Sequence, residues 1–201
     1  MVNYPKWLAN VVLISKNDGK IQMCVDFQDL NKANPKDDFP LPHIDVLLDN
    51  TAGHTLLSFM DGFSGYNQIK MALEDMDKTF FITPCGTYYY KVMPFGLKNA
   101  SATYQRVATT LLHDLIHKEV EVYVDDMIVK SKDREGHITA LRKFFERIQF
   151  YKLWLKSKEA HFRNHIQKIV RVYGRPRGIE VDPDKIKAIE EMKPPRIKKE
   201  I

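Results

Sequence analysis

Short apolar runs separated by turn residues mark the first half of the chain. They lie at residues 11–14, 21–27, 56–60, 80–83 and 87–92. Each run is short and bounded by turn residues, so each predicts a strand. Asn17-Asp18-Gly19 joins the first two runs and Pro84-Cys85-Gly86 joins the last two, and both connections are typical of strand-turn-strand units. The run at 56–60 stands alone and stops at Asp61, so an acid ends that strand.

Apolar residues at helical spacing predict three helices. Their stripes are Ile44, Leu47 and Leu48; Tyr104, Ala108, Leu111 and Leu115; and Ile138, Leu141, Phe145 and Ile148. Intervals of three and four residues place each set on one face of a helix, which would pack against a core. Pro42 near the start and Gly53 near the end bound the first helix. Further along, we expect a strand at 166–173 and a short helix at 185–192.

The stretch VEVYVDDMIVK, residues 120–130, sets two adjacent acids inside an apolar, strand-like run. The two-residue period of a strand puts the three valines on one face, with Glu121 and Tyr123 on the other. Because the apolar run resumes at Met127, the aspartates are best placed in the tight turn of a hairpin. Strands and helices interleaved with hairpins predict an α+β fold, in which helices back an antiparallel sheet.

Composition limits the class of protein. The chain has 201 residues, of which 44% are hydrophobic, enough for one domain or for one compact domain with a smaller lobe. No apolar segment approaches the roughly 20 residues that span a bilayer, and the N-terminus lacks the layout of a signal peptide. We therefore expect an intracellular protein, in the cytoplasm or nucleus. Cys24 and Cys85 stand far apart, and suggest neither a disulfide framework nor a zinc site.

Positive charge is concentrated towards the C-terminus. Residues 142–201 carry 17 lysines and arginines against 8 acidic residues, although the whole chain has a net charge of only +5. A basic third beside an acidic remainder suits a track for a polyanion next to a carboxylate site. An ordinary lysine-rich surface explains the charge equally well. Charge alone therefore does not choose between these two interpretations.

The acids suggest metal chemistry if they converge. If the strand that ends at Asp61 lies beside the hairpin of Asp125 and Asp126, three carboxylates meet at one edge of the sheet. Two carboxylates within about 4 Å repel by about 4 kcal/mol at an effective dielectric constant near 20, so such a site needs a cation or raised pKa values. Mg²⁺ is the simplest choice, and the arrangement suits two-metal phosphoryl transfer. Turn or cap chemistry would explain Asp61 alone, and a nucleotide cyclase or another palm-like enzyme would fit the same spacing.

Four segments together resemble a known family. They are DGKIQMCVDFQDLN (18–31), LLSFMDGFSGYNQI (56–69), TFFITPCGTYYYKVMPFGLKNASATYQR (79–106) and VYVDDMIVKS (122–131). In this order they resemble the successive motifs of the reverse transcriptase of a gypsy-type LTR retrotransposon. The similarity runs from about Trp7 to Asp184. A lone pair of aspartates would be weak support, whereas the joint match is specific.

The resemblance implies a polymerase palm with partial fingers. The expected divisions are partial fingers at 1–55, a palm with the catalytic motifs at 56–155, and the basic end of the palm with the start of a thumb or connection at 156–201. Asp61 and Asp125 would be the principal Mg²⁺ ligands, with Mn²⁺ as an alternative ion. The carbonyl of Gly62 would assist, and Asp126 would complete the catalytic acids.

The resemblance also implies a site for a deoxynucleoside triphosphate beside an RNA or DNA template-primer. Tyr66 matches the aromatic residue under the incoming sugar, and Phe95 and Gly96 match the loop beside the nucleotide. Gln105 ends the same motif, and Lys16 matches a lysine that faces the triphosphate. The alternatives are a core aromatic for Tyr66, a turn residue for Gly96 and a surface lysine for Lys16.

Several positions depart from the family pattern. Gln22 stands where the pattern DGKxRxCVDYRxLN has the arginine that grips the triphosphate, and Gln28 replaces its second arginine. A neutral amide cannot make the charge-assisted, bidentate contact of a guanidinium. The family's FLG turn, which holds the primer end, is also absent, because residues 169–174 read IVRVYG. These losses are expected of a decaying or truncated retroelement copy.

Two functional hypotheses follow from these observations. One is an RNA-directed DNA polymerase that transfers nucleotides to a primer 3′-hydroxyl. The other is a catalytically impaired remnant that at most binds nucleic acid through its basic C-terminal third. A two-metal enzyme outside polymerisation is disfavoured by the combination of MPFG (93–96) and YVDD (123–126).

Overall fold

Ten strands and five α-helices occur in the part of the chain that the structure, a computed structural model, describes: residues 5–15, 19, 21–156, 161–164, 172–175, 178–181 and 187. The strands are β1 (Ala9–Ser15), β2 (Ile21–Asp26), β3 (Leu56–Asp61), β4 (Phe81–Thr83), β5 (Gly86–Tyr88), β6 (Val120–Tyr123), β7 (Asp126–Ser131), β8 (His161–Asn164), β9 (Val172–Arg175) and β10 (Gly178–Val181). The helices are α1 (Gln28–Ala33), α2 (Ile44–Thr51), α3 (Leu73–Met76), α4 (Ala100–Leu111) and α5 (Arg134–Phe150), with 3₁₀ turns at Gly65–Gln68 and Asp77–Thr79.

These strands form three sheets. The central sheet has the order β6-β7-β3-β8 and is antiparallel throughout. The outer sheet has the order β2-β1-β4-β5, in which β1 and β2 form the expected hairpin and β1 runs parallel to β4. The third sheet pairs β9 with β10. The expected α+β fold with an antiparallel sheet is therefore confirmed.

The outer sheet crosses the division expected at residue 55. Its strands β4 and β5 come from residues 81–88, yet β4 pairs with β1 through Ala9 and Phe81. The strand expected at 166–173 and the helix expected at 185–192 lie almost wholly outside the described residues. Only the last two residues of the expected strand are described, and they belong to β9, which begins at Val172. The division at 156–201 stays a prediction for the same reason.

Helices cover both faces of the central sheet. On one face α4 and α5 pack against the strands through a single apolar cluster, to which the sheet contributes Met60, Val122 and Val129. On the other face Leu57 and Ile128 pack with Leu48 of α2. Alternate residues of each strand therefore face opposite helices, as the strand period requires. Among the described residues, no helix is both long and apolar enough to cross a membrane.

The predicted apolar stripe of α5 is wrong in two positions. Ile138 is 52% exposed and Phe145 is 41% exposed. The buried face consists of His137, Ala140, Phe144 and Ile148. The true stripe keeps intervals of three and four residues but includes a histidine, which apolar patterning passes over. The Nε2 and Nδ1 atoms of His137 lie 2.8 and 2.9 Å from the hydroxyls of Ser58 and Ser131. Burial lowers the pKa of His137, so the ring is held neutral between these two strands.

A buried ion pair lies on the α2 face of the central sheet. Lys130 of β7 donates to Oε1 of Glu121 of β6 at 2.7 Å, and the two side chains are only 2% and 1% exposed. The same ammonium donates to the carbonyl of Asn50, at the end of α2, at 2.6 Å. The other Glu121 oxygen lies 3.0 Å from Nδ1 of His117. The pair therefore ties the two strands of the hairpin to the helix that covers them.

We expect Lys130→Met to lower the free energy of unfolding by about 3–5 kcal/mol, because it leaves the buried carboxylate of Glu121 without its cation. Replacing both residues, as Lys130→Met with Glu121→Leu, should cost much less, because no unpaired charge is then buried. Urea denaturation of the three proteins measures both values.

The exposed pair of Lys143 and Glu119 offers a matched control. Its atoms are 2.6 Å apart, but the side chains are 51% and 27% exposed. Lys143→Met should therefore change the free energy of unfolding by no more than about 1 kcal/mol. Equal effects of Lys130→Met and Lys143→Met would contradict a stabilising role that depends on burial.

Candidate active site

Two of the predicted acids face each other across adjacent strands. Asp61 is the last residue of β3 and Asp126 is the first of β7, and the two form a directly opposed pair in the antiparallel register. A second register, between β6 and β7, pairs Tyr123 with the same Asp126. The hairpin predicted for VEVYVDDMIVK is therefore present, but its turn consists of Val124 and Asp125, and the expectation that both aspartates lie in the turn is wrong for Asp126, which begins β7. The sheet therefore places the acidic end of β3 and the acidic turn of the hairpin at the same end of its strands.

The turn of the hairpin has a strained backbone, and a buried glutamine of α4 forms hydrogen bonds to it. Val124 has a φ angle of +55°, which is unfavourable for a β-branched residue. Gln105 of α4 is buried, and its Oε1 accepts a 2.6 Å hydrogen bond from the backbone N–H of Val124. Its Nε2 donates to the carbonyl of Val122 at 3.3 Å. The structure thus places Gln105, predicted as a nucleotide contact, behind the turn, where it satisfies two buried backbone groups.

Two glycines allow the segment after β3 to approach the turn. The backbone N–H of Gly62 donates to the carbonyl of Asp125 at 3.1 Å. A Cβ at Gly62 would lie 2.8 Å from the hydroxyl of Tyr104, and one at Gly65 would lie 3.3 Å from the Cβ of Asp125. A side chain at Gly62 would therefore push against a buried tyrosine, and one at Gly65 against the aspartate. The Gly62 carbonyl, an expected metal ligand, accepts from the Gly65 N–H at 3.3 Å.

Tyr104 lies beneath the acids. The residue is only 3% exposed. Burial raises its pKa to about 12, and the carboxylates of Asp125 and Asp61 add to the rise. Its hydroxyl is therefore protonated at neutral pH. Apolar patterning predicts Tyr104 as a core residue, but the closeness of its hydroxyl to the acids is visible only in three dimensions.

The carboxylate oxygens of the acids suit a hard cation, but three acidic side chains do not converge on one position. Within the described residues, no three His, Cys, Asp or Glu side chains converge on one metal position. Asp125 lies in the turn, next to Asp126 of β7, and the carboxylate of Asp125 lies against Gly65. Positive charge is nevertheless attracted here, because the Lys156 ammonium lies 3.6 Å from Oδ2 of Asp61. The carboxylates of Asp61 and Asp126 thus fit a divalent cation as two of its ligands.

An aromatic group lies beside the acids on the α4 side. The hydroxyl of Tyr66 is 2.9 Å from Oγ of Ser101, and its ring centroid is 5.9 Å from that of Tyr104. The ring of Phe95 lies 5.0 Å from Tyr66 and is 53% exposed. Tyr66 and Phe95, predicted separately from two motifs, are therefore in contact. Tyr66 is half-buried and fixed at both its ring and its hydroxyl.

Of the remaining predicted residues, Gly96 directly follows Phe95 in the chain and Gln22 lies apart from this group. Gly96 adopts a φ angle of +94° and its carbonyl accepts from the side chain of Asn31 at 2.7 Å, so it joins the loop to α1. Gln22 lies exposed on β2, opposite Ile14 of β1. Lys16 is outside the described residues. The structure thus sets Asp61 opposite Asp126 and brings Tyr66 into contact with Phe95, but does not connect either pair to Gln22.

Comparisons with known proteins agree with this architecture. Residues 14–163 match the reverse transcriptase (RNA-dependent DNA polymerase) family. The retrovirus-related Pol polyprotein from transposon opus of Drosophila melanogaster is 34% identical over 199 residues, which is 99% of this chain and 20% of that protein. The corresponding polyprotein from transposon gypsy is 30% identical over 87% of this chain and 17% of its own length.

Solved structures show the same fold. A foamy viral protease-reverse transcriptase in complex with dsDNA aligns over 100% of this chain and 42% of its own, with a TM-score of 0.86 at 20% identity. The complex of the foamy viral protein with RNA/DNA hybrid aligns over 94% of this chain and 25% of its own, with a TM-score of 0.82 at 19% identity.

A central antiparallel sheet that contains an acidic hairpin and packs against two helices on one face is the architecture of a polymerase palm. The chain belongs to the reverse transcriptase family, and its relatives include gypsy-type transposon polyproteins. It spans about a fifth of the length of these relatives. The resemblance drawn from the four sequence segments is therefore confirmed.

We expect Gln105→Met to lower the free energy of unfolding by about 1–3 kcal/mol, because the N–H of Val124 and the carbonyl of Val122 lose their buried partner. Gln149→Met is the matched control, since that glutamine is exposed on α5. Chemical denaturation measures both values. Equal stability of the two variants would show that the side chain of Gln105 does not support the turn.

Proposed function

We propose that the chain is the nucleotide-transferring part of an RNA-directed DNA polymerase. The observation that carries the proposal is the antiparallel register that sets Asp61 opposite Asp126, with Asp125 in the adjoining turn. The expected reaction is attack of a primer 3′-oxygen on the α-phosphate of a deoxynucleoside triphosphate, with release of pyrophosphate. Foamy viral reverse transcriptase structures with RNA/DNA hybrid and dsDNA support a template-primer as the partner.

The residues divide the work of this reaction by position. Asp61, Asp126 and Asp125 would hold Mg²⁺ or Mn²⁺, assisted by the carbonyl of Gly62. When bound, the ions would supply positive charge to the attacking and leaving oxygens. A bound ion would either displace the Lys156 ammonium from Asp61 or share the Asp61 carboxylate with it, because both cations bind the same carboxylate. The braced turn would keep the acids aligned during turnover, since positioning and electrostatics dominate phosphoryl transfer.

The aromatic group would bind the nucleotide. The ring of Tyr66, fixed by Ser101 and Phe95, offers a flat surface of the kind expected under the incoming sugar. Phe95 is exposed and would border the base, with Gly96 shaping its loop. Lys16 and Gln22 would face the triphosphate from the fingers. We also propose that the protein acts inside the cell, where its substrates occur.

We expect Mg²⁺-dependent extension of a DNA primer on an RNA template, and a reduction of about 10²-fold or more in Asp125→Asn. The neutral amide keeps the size of the side chain but removes the charge that the cation requires. Asp75→Asn is the matched control, because Asp75 is exposed on α3 and pairs only with Lys78 among the described residues. Extension that is unaffected by Asp125→Asn would contradict the assignment.

A second candidate is an impaired remnant that binds nucleic acid without efficient turnover. It is favoured by Gln22, which is exposed on β2 with a neutral amide where the family pattern has an arginine. A guanidinium would add a charge-assisted, bidentate contact to the triphosphate. Gln28 begins α1 and donates its backbone N–H to Asp26 at 2.9 Å, but its amide also carries no charge.

We expect Gln22→Arg to increase the rate of extension by up to about 10²-fold, mainly at low concentrations of the triphosphate. Gln149→Arg adds the same charge on α5 and should leave the rate unchanged. Rates at several triphosphate concentrations separate tighter binding from faster chemistry. Equal rates in the two variants would show that the missing arginine is not what limits the chain, and robust extension by the unmodified chain would contradict the remnant hypothesis.

A further inference from the structure

Two large aromatic side chains are exposed at the acidic end of β3. Phe63 is 55% exposed and Trp154 is 70% exposed. Neither ring contacts another aromatic ring among the residues that the structure describes. Tryptophan is usually well buried, so an exposed indole beside an active site points to a binding partner.

A frame of hydrogen bonds fixes these two residues side by side. Nε2 of Gln68 donates to the carbonyl of Phe63 at 2.7 Å and to that of Trp154 at 3.0 Å. Oε1 of Gln68 accepts from the N–H of Trp154 at 2.7 Å, and the N–H of Phe63 donates to the Trp154 carbonyl at 2.9 Å. The two aromatic residues are thus presented on an ordered backbone, which reduces the entropy cost of binding a partner.

The frame is continuous with the acidic site. Gly62, next to Phe63, forms a β-bridge with Leu155. The following residue, Lys156, donates its backbone N–H to the carbonyl of Asp61 at 2.9 Å and keeps its ammonium near the Asp61 carboxylate. Lys152 is exposed two residues before Trp154. Flat aromatic surfaces and cationic side chains therefore occur together within a few residues of Asp61.

We propose that Phe63 and Trp154 form a stacking platform for an unpaired base of a nucleic-acid strand. Aromatic faces bind bases without regard to sequence, while nearby lysines attract the phosphates. A protein partner is less suited, because two aromatic residues do not make the area of a stable protein interface. The proposal rests on the proposed function, since it requires that the adjacent site binds nucleic acid.

Trp154 can report this contact directly. The chain contains one other tryptophan, Trp7, so a Trp7→Phe protein leaves Trp154 as the only indole emitter. Titration with a single-stranded oligothymidylate, without metal or triphosphate, should quench its fluorescence. An abasic oligomer with the same number of phosphates should not quench it at equal occupancy, because it has charge but no base to stack.

Substitutions separate stacking from charge. In the full chain, Trp154→Leu should weaken binding of the oligothymidylate by about fivefold or more, the low end for stacking on one base. Its affinity for the abasic oligomer should not change, and Trp154→Phe should retain most of the affinity for oligothymidylate. Phe150→Leu is the matched control, because Phe150 is 76% exposed on α5 outside this frame.

Three results would overturn the platform: equal quenching by the abasic oligomer, equal effects of Trp154→Leu and Phe150→Leu, or quenching by free thymidine nucleotide as strong as by the oligomer. The last would indicate a site for free nucleotides instead. Asp125→Asn should keep the quenching even though it should reduce extension by about 10²-fold or more. Loss of the platform and loss of the polymerase function are therefore measured separately.

Discussion

The register between β3 and β7 is the constraint on which the acidic site depends. Asp61 meets Asp126 only in the register that pairs Leu56 with Ser131 at the other end of the strands. A slip by one residue would separate the acids and turn every buried side chain of a strand to the opposite face. Apolar packing against α4 and α5 opposes such a slip. The polar contacts of the hairpin add to this specificity.

These polar contacts act on the α2 face of the hairpin and at its turn. On the α2 face the pair of Glu121 and Lys130 can form only when β6 and β7 are in register, because a displaced lysine would leave a carboxylate buried without a cation. At the turn, Gln105 recognises one N–H and one carbonyl, which selects the strained conformation of Val124 over a relaxed one. We therefore expect the buried pair to contribute more to the choice of strand register than to the net stability of the fold.

Patterning predicts the elements well and their polar contacts poorly. The strand ending at Asp61 follows from a short apolar run, and the acidic hairpin follows from a two-residue period interrupted by turn residues; the local sequence shows both patterns directly. The stripe of α5 was misplaced because His137 is buried against two serine hydroxyls, one from the end of the preceding strand β7 and one from the distant strand β3. In the sequence, Lys130 is the polar residue that ends an apolar run. In the structure it is buried, because Glu121 of β6 and the carbonyl of Asn50 in α2 supply partners for its ammonium. Such pairings depend on tertiary structure, so no local pattern reveals them.

The departures from the family pattern fall unevenly on this framework. Groups that would be costly to lose from the folded chain are present: the glycines that admit Tyr104 and Asp125, and the glutamine Gln105 that bonds the turn. Gln22, in contrast, is exposed on β2, where replacing an arginine leaves no buried group unsatisfied. Folding therefore constrains the two glycines and Gln105 even without catalysis, whereas the exposed position 22 has no such constraint from folding. A well-formed hairpin turn is for this reason weaker support for turnover than a triphosphate contact would be, and activity is best judged at the exposed fingers strand.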